Sequence, residues 1–263
     1  MSTEQNAERV LQQQRYYDDY WSGGTGWKPT HTADEELKRW LEELVRVGKM
    51  ILDIGCGDGS HYSKFLIEAG IDLYGVDVSE VAVQEARARG VRAQRASVDM
   101  GLPFPADRFD GAICLEVLEH LVNPELAARE LYRVLRPGGR LLVSVPNVGY
   151  WRIRAELLVT GHFNPTGSPV TSRRYPWRDP HLRFFNSRAL RNMLTDVGFT
   201  IERQGGLETQ FLASAPVLRD IIVLKWIRPL DRVLRSLGRR FYTLLAARCV
   251  VIARKPGESV PHS

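Results

Sequence analysis

From Lys49 onward, short apolar runs alternate with stretches whose apolar residues recur every three or four positions. The runs predict strands over 49–54, 71–77, 91–96, 109–115 and 139–146, and the periodic stretches predict helices over 60–69, 79–89 and 123–136. The last of these opens after Asn123-Pro124 and stops at Pro137-Gly138-Gly139. Proline suits a first helical turn because the N–H it lacks would have had no partner there, whereas the Pro-Gly-Gly run cannot continue a helix. A further helix over 187–197 follows Asn186 and closes at Gly198, and late strands over 200–208 and 247–254 bring the count to seven. This rhythm predicts an open α/β sheet with a parallel core and a ligand site beyond the carboxyl ends of its first strands.

Residues 1–48 read as a helical cap ahead of a domain over 49–255, with a flexible tail at 256–263. The cap carries Tyr16-Tyr17-Asp18-Asp19-Tyr20-Trp21 and then the glycine-rich stretch Ser22–Gly26. Two insertions stand out. Residues 147–185 are the least regular part and interleave Trp151, Phe163, Tyr175, Trp177, Phe184 and Phe185 with Arg152, Arg154, Arg173, Arg174, Arg178 and Arg183. Residues 216–245 mix Ile221-Ile222-Val223-Leu224, Trp226-Ile227 and Leu244-Leu245 with seven basic side chains, and read as a basic amphipathic helical segment that contacts a membrane surface, covers the pocket or makes a dimer.

Hydrophobic residues at 44% and charged residues at 25% are ordinary globular values and suggest neither a disordered nor a membrane-spanning class. Met1–Asp19 lacks the apolar core of a secretory signal, and Cys56, Cys114 and Cys249 are scattered and odd in number, so buried reduced thiols and a cytoplasmic location are expected. The net charge of +5 is uneven: residues 1–150 hold 17 Lys+Arg against 23 Asp+Glu, and 151–263 hold 19 against 8. The basic part is either a solvated face or an attraction for an anionic partner.

The first strand runs into Asp53-Ile-Gly55-Cys56-Gly57-Asp-Gly59. Three glycines spaced two apart after a strand form a turn bare enough for a nucleotide-like ligand to approach its backbone. Ser60 stands where the dinucleotide fingerprint G-x-G-x-x-G needs its last glycine. Asp53 would repel a phosphate and can accept from an ammonium. Asp77 ends the second strand 18 residues after Gly59, where a carboxylate can take both ribose hydroxyls; it also reads as a helix cap, although Ser79 is better placed for that.

This segment resembles motif I of the class I S-adenosylmethionine-dependent methyltransferases. Leu102-Pro-Phe-Pro-Ala-Asp-Arg-Phe-Asp110, Leu115-Glu-Val-Leu-Glu-His120 and Leu135-Arg-Pro-Gly-Gly139 match later motifs of that family in order and at its spacing, over roughly residues 50–146. The resemblance implies a seven-stranded doubly wound, Rossmann-like sheet with helices on both faces and the last strand antiparallel. It implies S-adenosyl-L-methionine as methyl donor, held by Asp53, Gly55, Cys56, Gly57, Gly59, Asp77, Val78, Ser97, Val98 and Leu115. The family often reads adenine with an acid after the third strand. Here Ala96-Ser97-Val98 occupies that place, so Ser97, a backbone carbonyl or, in a shifted register, Asp99 takes that part.

Methyl transfer needs an aligned acceptor and, for a hydroxyl, a base. His120 is the candidate base, with a surface histidine as the alternative. Glu116, Glu119 and His120 also reproduce the E-x-x-E-H pattern that ubiquinone-type and small-RNA methyltransferases use for a divalent ion, a reading ranked below a metal-free site. Pro146-Asn147-Val-Gly-Tyr-Trp151-Arg152 and His181-Leu-Arg183-Phe184-Phe185 resemble the group containing the methionine-biosynthesis protein MetW and methyltransferases of cell-surface glycans and lipids. That resemblance makes Tyr150, Trp151, Arg152, His181 and Arg183 acceptor contacts. In related methyltransferases an N-terminal segment folds over the cofactor, which would make Tyr17 and Trp21 lid residues, with plain packing against the domain as the alternative. The expected reaction is O-methylation of a small or lipid- or glycan-linked anionic acceptor. The alternatives are a cofactor-binding regulatory partner and an RNA 2′-O-methyltransferase; no RNA-binding module is recognisable, so nucleic acid is not favoured.

Overall fold

The computed structural model describes residues 3–23, 35–163, 180–207 and 241–257. Its seven strands are β1 (Met50–Ile54), β2 (Asp72–Asp77), β3 (Arg92–Arg95), β4 (Phe109–Leu115), β5 (Leu135–Pro146), β6 (Thr200–Leu207) and β7 (Arg248–Arg254). They form one sheet in the order β3-β2-β1-β4-β5-β7-β6. The first five strands are parallel, and β7 runs antiparallel between β5 and β6. The order reverses at β1, which pairs with β2 on one side and β4 on the other, so a crevice opens at their carboxyl ends.

Each face of the sheet carries its own core. On one, Leu131 of α5 (Pro124–Val134) and Leu190 and Leu194 of α7 (Ser187–Val197) pack on Leu52, Ala112 and Val143. On the other, α2 (Glu35–Leu44), α3 (Ser63–Glu68) and α4 (Glu80–Ala88) bring Trp40, Leu41, Leu44, Leu66, Val83 and Ala86 against Ile51, Ile113 and Ile252. Side chains of this size each contribute about 1.5–3 kcal/mol on burial. Helix α2 thus lies within the expected cap, 1–48, yet is built into the sheet's core. Helix α1 (Thr3–Trp21) lies across the carboxyl ends of the strands and packs on α4.

The predicted caps form as their chemistry requires. Ser79 Oγ accepts the Ala82 N–H at 3.3 Å, Asn123 Oδ1 the Leu126 N–H at 3.1 Å and Asn186 Oδ1 the Ala189 N–H at 2.9 Å. Two elements depart from expectation. Strand β5 starts at Leu135 rather than 139, because Leu135 already pairs with Phe109 before the ladder shifts register. The irregular 147–185 stretch contains α6 (Trp151–Thr160), closed by Gly161 in the left-handed region. That helix buries none of its residues and carries Leu157, Leu158 and Val159 exposed and consecutive, so it leaves no apolar periodicity to read. Tyr175, Trp177, Arg173, Arg174 and Arg178 fall outside the described residues, as does most of 216–245. The end of the latter forms α8 (Tyr242–Leu245), whose Tyr242 hydroxyl donates to Gln204 at 2.9 Å. Cys56, Cys114 and Cys249 are buried and unbridged. No helix among the described residues is long and apolar enough to cross a membrane.

Candidate active site

The glycine turn leaves β1 with Gly57 at φ +54° and Gly59 at φ +72°, a region side chains rarely adopt. A Cβ on Gly57 would come within 2.7 Å of the Trp21 ring, and one on Gly59 within 3.3 Å of the Ala86 backbone. Neither position has room for a larger residue. Asp77 ties the turn to β2: Oδ2 accepts the Gly57 N–H at 3.0 Å and Oδ1 the Ser79 N–H at 2.9 Å. Burial lifts its pKa to about 6 against the opposing pull of those N–H groups. Each oxygen keeps a free lone pair, so the carboxylate suits a ribose diol.

Asp53 lies deeper. It is buried, and its Oδ1 accepts the Tyr62 hydroxyl at 2.7 Å. One oxygen of the acceptor expected for a ligand ammonium is therefore engaged inside the fold. Burial drives its pKa up to about 8, although the Tyr62 bond pulls the other way. A carboxyl raised in the native state stabilises the fold fully below its ordinary pKa and loses that contribution as pH rises through the native one. Asp53→Asn keeps a neutral acceptor for Tyr62. Its melting temperature should accordingly gain on the wild type as pH rises from the ordinary carboxylate range to about 8. Parallel melting curves for the two proteins across that window would contradict this account.

Cys56 turns its side chain inward against Gly75 and offers only backbone to the turn. Val98 is buried in the core, while Val78 and Leu115 are half-buried at the ends of β2 and β4. Asp99 accepts the Val122 and Asn123 N–H groups at 3.2 and 3.0 Å, which commits it to bracing the loop after β4. Ser97, whose side chain caps nothing in the adjoining turn, remains at the position expected for adenine.

Helix α1 closes over this region. Gln14 accepts from Arg95 at 2.5 Å, Asp18 from the Ser79 hydroxyl at 2.6 Å, and Gln13 donates to the His120 carbonyl at 3.2 Å. Trp21 lies on Gly57, and the Tyr17 ring meets the His120 ring edge-on at 6.1 Å. Burial raises the Tyr17 phenol well above its usual range, so it stays neutral.

His120 sits in a short turn after β4, with Nδ1 3.2 Å from the Pro180 carbonyl oxygen. The carbonyl can only accept, so Nδ1 carries the hydrogen and Nε2 keeps a lone pair. Burial and the neighbouring His181 lower its pKa to about 4, leaving the imidazole neutral near pH 7. The two rings lie 4.6 Å apart. Each Nε2 also approaches Glu119 Oε1, at 3.9 Å for His120 and 3.8 Å for His181. Glu119 is buried, and neither of its oxygens has a hydrogen-bond partner among the described residues. Burial, reinforced by Glu116, holds its pKa well above the carboxylate range.

The E-x-x-E-H pattern is thus split. Glu116 turns away with φ +55°, and its Oε1 accepts the Ser144 hydroxyl at 2.7 Å. His181 takes its place: one ligand atom each from Glu119, His120 and His181 lie within 4.8 Å of one another, a set able to hold a divalent cation. The loop at 180–185 is pinned there because the Leu182 and Arg183 N–H groups both donate to the Glu119 carbonyl, at 2.8 and 3.0 Å. Arg183 also donates to the Val122 carbonyl at 2.6 Å, so it clasps the loop instead of standing open to an acceptor. Tyr150 is buried, Trp151 half-buried and Arg152 exposed at the start of α6. Sequence reasoning missed Tyr62, Gln13 and Asp18 as parts of this site, because none belongs to a spaced motif and each matters only through a partner distant in the chain.

A family model described as a methyltransferase domain matches residues 30–204, more than half of the chain. The ubiquinone biosynthesis O-methyltransferase of Pseudomonas savastanoi pv. phaseolicola is 30% identical over 136 residues, covering 49% of this chain and 58% of the relative. The protein of the same name from Bordetella avium is 29% identical, covering 49% and 56%. The chain therefore spans less than two thirds of the length of these curated relatives. Among solved structures, an S-adenosylmethionine-dependent methyltransferase from Mesorhizobium loti superposes with a TM-score of 0.53 at 22% identity, over 84% of this chain and 98% of the other. Phosphoethanolamine N-methyltransferase 2 of Haemonchus contortus, in complex with S-adenosyl-L-methionine, gives 0.55 at 18% identity, over 83% and 52%. With a matching family model, a sheet of that order and a glycine turn braced by Asp77, the chain belongs to the class I S-adenosylmethionine-dependent methyltransferases.

Proposed function

We propose that this chain transfers a methyl group from S-adenosyl-L-methionine to a hydroxyl oxygen of a small, or lipid- or glycan-linked, anionic acceptor. One observation carries the oxygen: His120 is a neutral imidazole with its Nε2 lone pair free, held by Pro180 at the end of β4 and facing Tyr17. The name shared by the ubiquinone biosynthesis O-methyltransferases agrees with an oxygen acceptor. When bound, the donor supplies an electron-poor methyl carbon on a sulfonium that is already a good leaving group. The chain's residues do the rest. Gly57 and Gly59 would give the donor backbone access, Asp77 would accept its ribose hydroxyls, and Ser97 would stand by its adenine. Tyr17 and Trp21 would exclude water. His120 Nε2 would take the proton of the acceptor hydroxyl, freeing its oxygen to receive the methyl group as the sulfonium carbon–sulfur bond breaks. The lipid-linked class rests on the basic, apolar composition of 216–245.

Incubation with donor tritiated in its methyl group, against phenols, hydroxy acids and a lipid extract, tests the proposal. Label in an ether or ester product supports it. Tight binding of S-adenosylhomocysteine with no labelled product would favour the regulatory-partner reading instead.

A second reading is favoured by the buried Glu119 carboxyl, which lacks a hydrogen-bond partner among the described residues. A divalent cation on Glu119, His120 and His181 would satisfy it and would lower the pKa of an acceptor hydroxyl directly. Activity lost to a strong chelator and restored by Mg²⁺ or Mn²⁺ selects this reading; activity untouched by the chelator selects the imidazole base.

A further inference from the structure

A second concave site lies on the sheet's outer edge at β3, a cavity of about 400 Å³ lined by Tyr74, Arg87, Arg92, Gln94, Phe104 and Arg108 among others. Tyr74 pairs with Arg92 at the start of β3 and lies three positions before Asp77 on β2. At a strand rise of ~3.3 Å per residue, the cavity is set back about 10 Å along the strand from the Asp77 carboxylate.

Its chemistry is one-sided. Arg87 is steered by a 2.7 Å bond from Nε to the Ala93 carbonyl, which leaves its terminal N–H groups available. Arg92 pairs with Asp72 through Nε at 3.0 Å and donates to the Tyr74 hydroxyl at 3.0 Å. The Arg108 guanidinium lies against aromatic rings, 4.8 Å from the Tyr74 centroid and 5.4 Å from those of Phe104 and Phe109. Among the described residues, no carboxylate or other acceptor meets the Arg108 guanidinium. Three guanidiniums thus face one carboxylate, and the aromatic rings fix the arginine that has no anion of its own. An unmatched set of N–H donors around a cavity calls for an anion with several acceptor oxygens. The arginines line a single hollow, which suits an isolated phosphate group better than a polymer backbone.

We infer that the β3 edge binds a small phosphorylated ligand at a site separate from the methyl-donor site, with Arg108 and Arg87 as its main donors. The site bears on the donor site through the chain itself: Arg95, next to Gln94, holds Gln14 of α1, and Ser97 follows two residues later.

Titration calorimetry of the full chain with inorganic pyrophosphate, with and without saturating S-adenosylhomocysteine, tests this. The expected result is saturable binding whose affinity S-adenosylhomocysteine does not compete away. Arg108→Gln should weaken it at least tenfold, about 1.4 kcal/mol, as for loss of a charge-assisted hydrogen bond. Arg87→Gln should weaken it by a smaller factor. Both variants should keep wild-type affinity for S-adenosylhomocysteine, which reports an intact fold. If Arg108→Gln fails to fold, Arg87→Gln alone decides the matter. No saturation by millimolar pyrophosphate, competition by S-adenosylhomocysteine, unchanged affinity in a folded Arg108→Gln or Arg87→Gln, or binding of an RNA oligonucleotide but not of pyrophosphate would each overturn the inference.

Discussion

Replacing Asp77 with alanine is expected to weaken S-adenosylhomocysteine binding on the order of 100-fold or more. The carboxylate does two things at once. It bridges Gly57 and Ser79, giving the glycine turn its shape, and in the proposed function its remaining lone pairs would meet the ribose hydroxyls. Two hydrogen bonds to a charged acceptor, at about 1.5 kcal/mol or more each, already amount to that factor before any loosening of the turn. The N–H groups of Gly57 and Ser79 also lose their acceptor, so the cost falls on the free protein as well. Calorimetry with S-adenosylhomocysteine measures the effect. A change under threefold would show that Asp77 only braces the turn.

His120→Ala should lower kcat by roughly 10²- to 10⁴-fold, the usual worth of a positioned general base, while leaving S-adenosylhomocysteine affinity near that of the wild type. In the proposed function His120 serves the acceptor and not the donor, with its carbonyl on Gln13 of α1 and its ring among Tyr17, His181 and Glu119. On that proposal the same imidazole sets the acid limb of the pH profile. Its native pKa is lowered to about 4 by burial and by His181, so the neutral form persists well below the ordinary imidazole range. The wild-type limb should therefore fall near pH 4, and a limb at the usual value of ~6.5 would place His120 in water rather than in this cluster. An unaltered kcat in the alanine variant would remove the base altogether.

The parallel core of the sheet was legible because buried parallel strands read as apolar runs and their helices as periodic stretches. The glycine turn, Asp77 and His120 were legible because each occupies a motif whose spacing is local. Helix α6 was not, since it buries nothing and so has no apolar face to detect. The pairing of His181 with Glu119 escaped for a different reason. It depends on two N–H groups from 182 and 183 converging on one carbonyl more than sixty residues earlier. Glu116 misled because the E-x-x-E-H spacing presumes a regular turn, whereas its positive φ swings the side chain toward Ser144. Asp53 was placed correctly at the end of β1, but its burial and its bond to Tyr62 belong to packing, which a linear pattern does not carry.

The Ser79 hydroxyl holds two elements together at once. It accepts from Ala82 to start α4 and donates to Asp18 of α1, while the Ser79 backbone N–H is bound by Asp77. Lifting α1 consequently removes the acceptor of a hydroxyl whose own residue steadies the Asp77 carboxylate, and withdraws Trp21 from Gly57 in the same movement. Opening and loosening of the donor pocket are then a single thermodynamic step. The helix that shelters the pocket is also one of its struts.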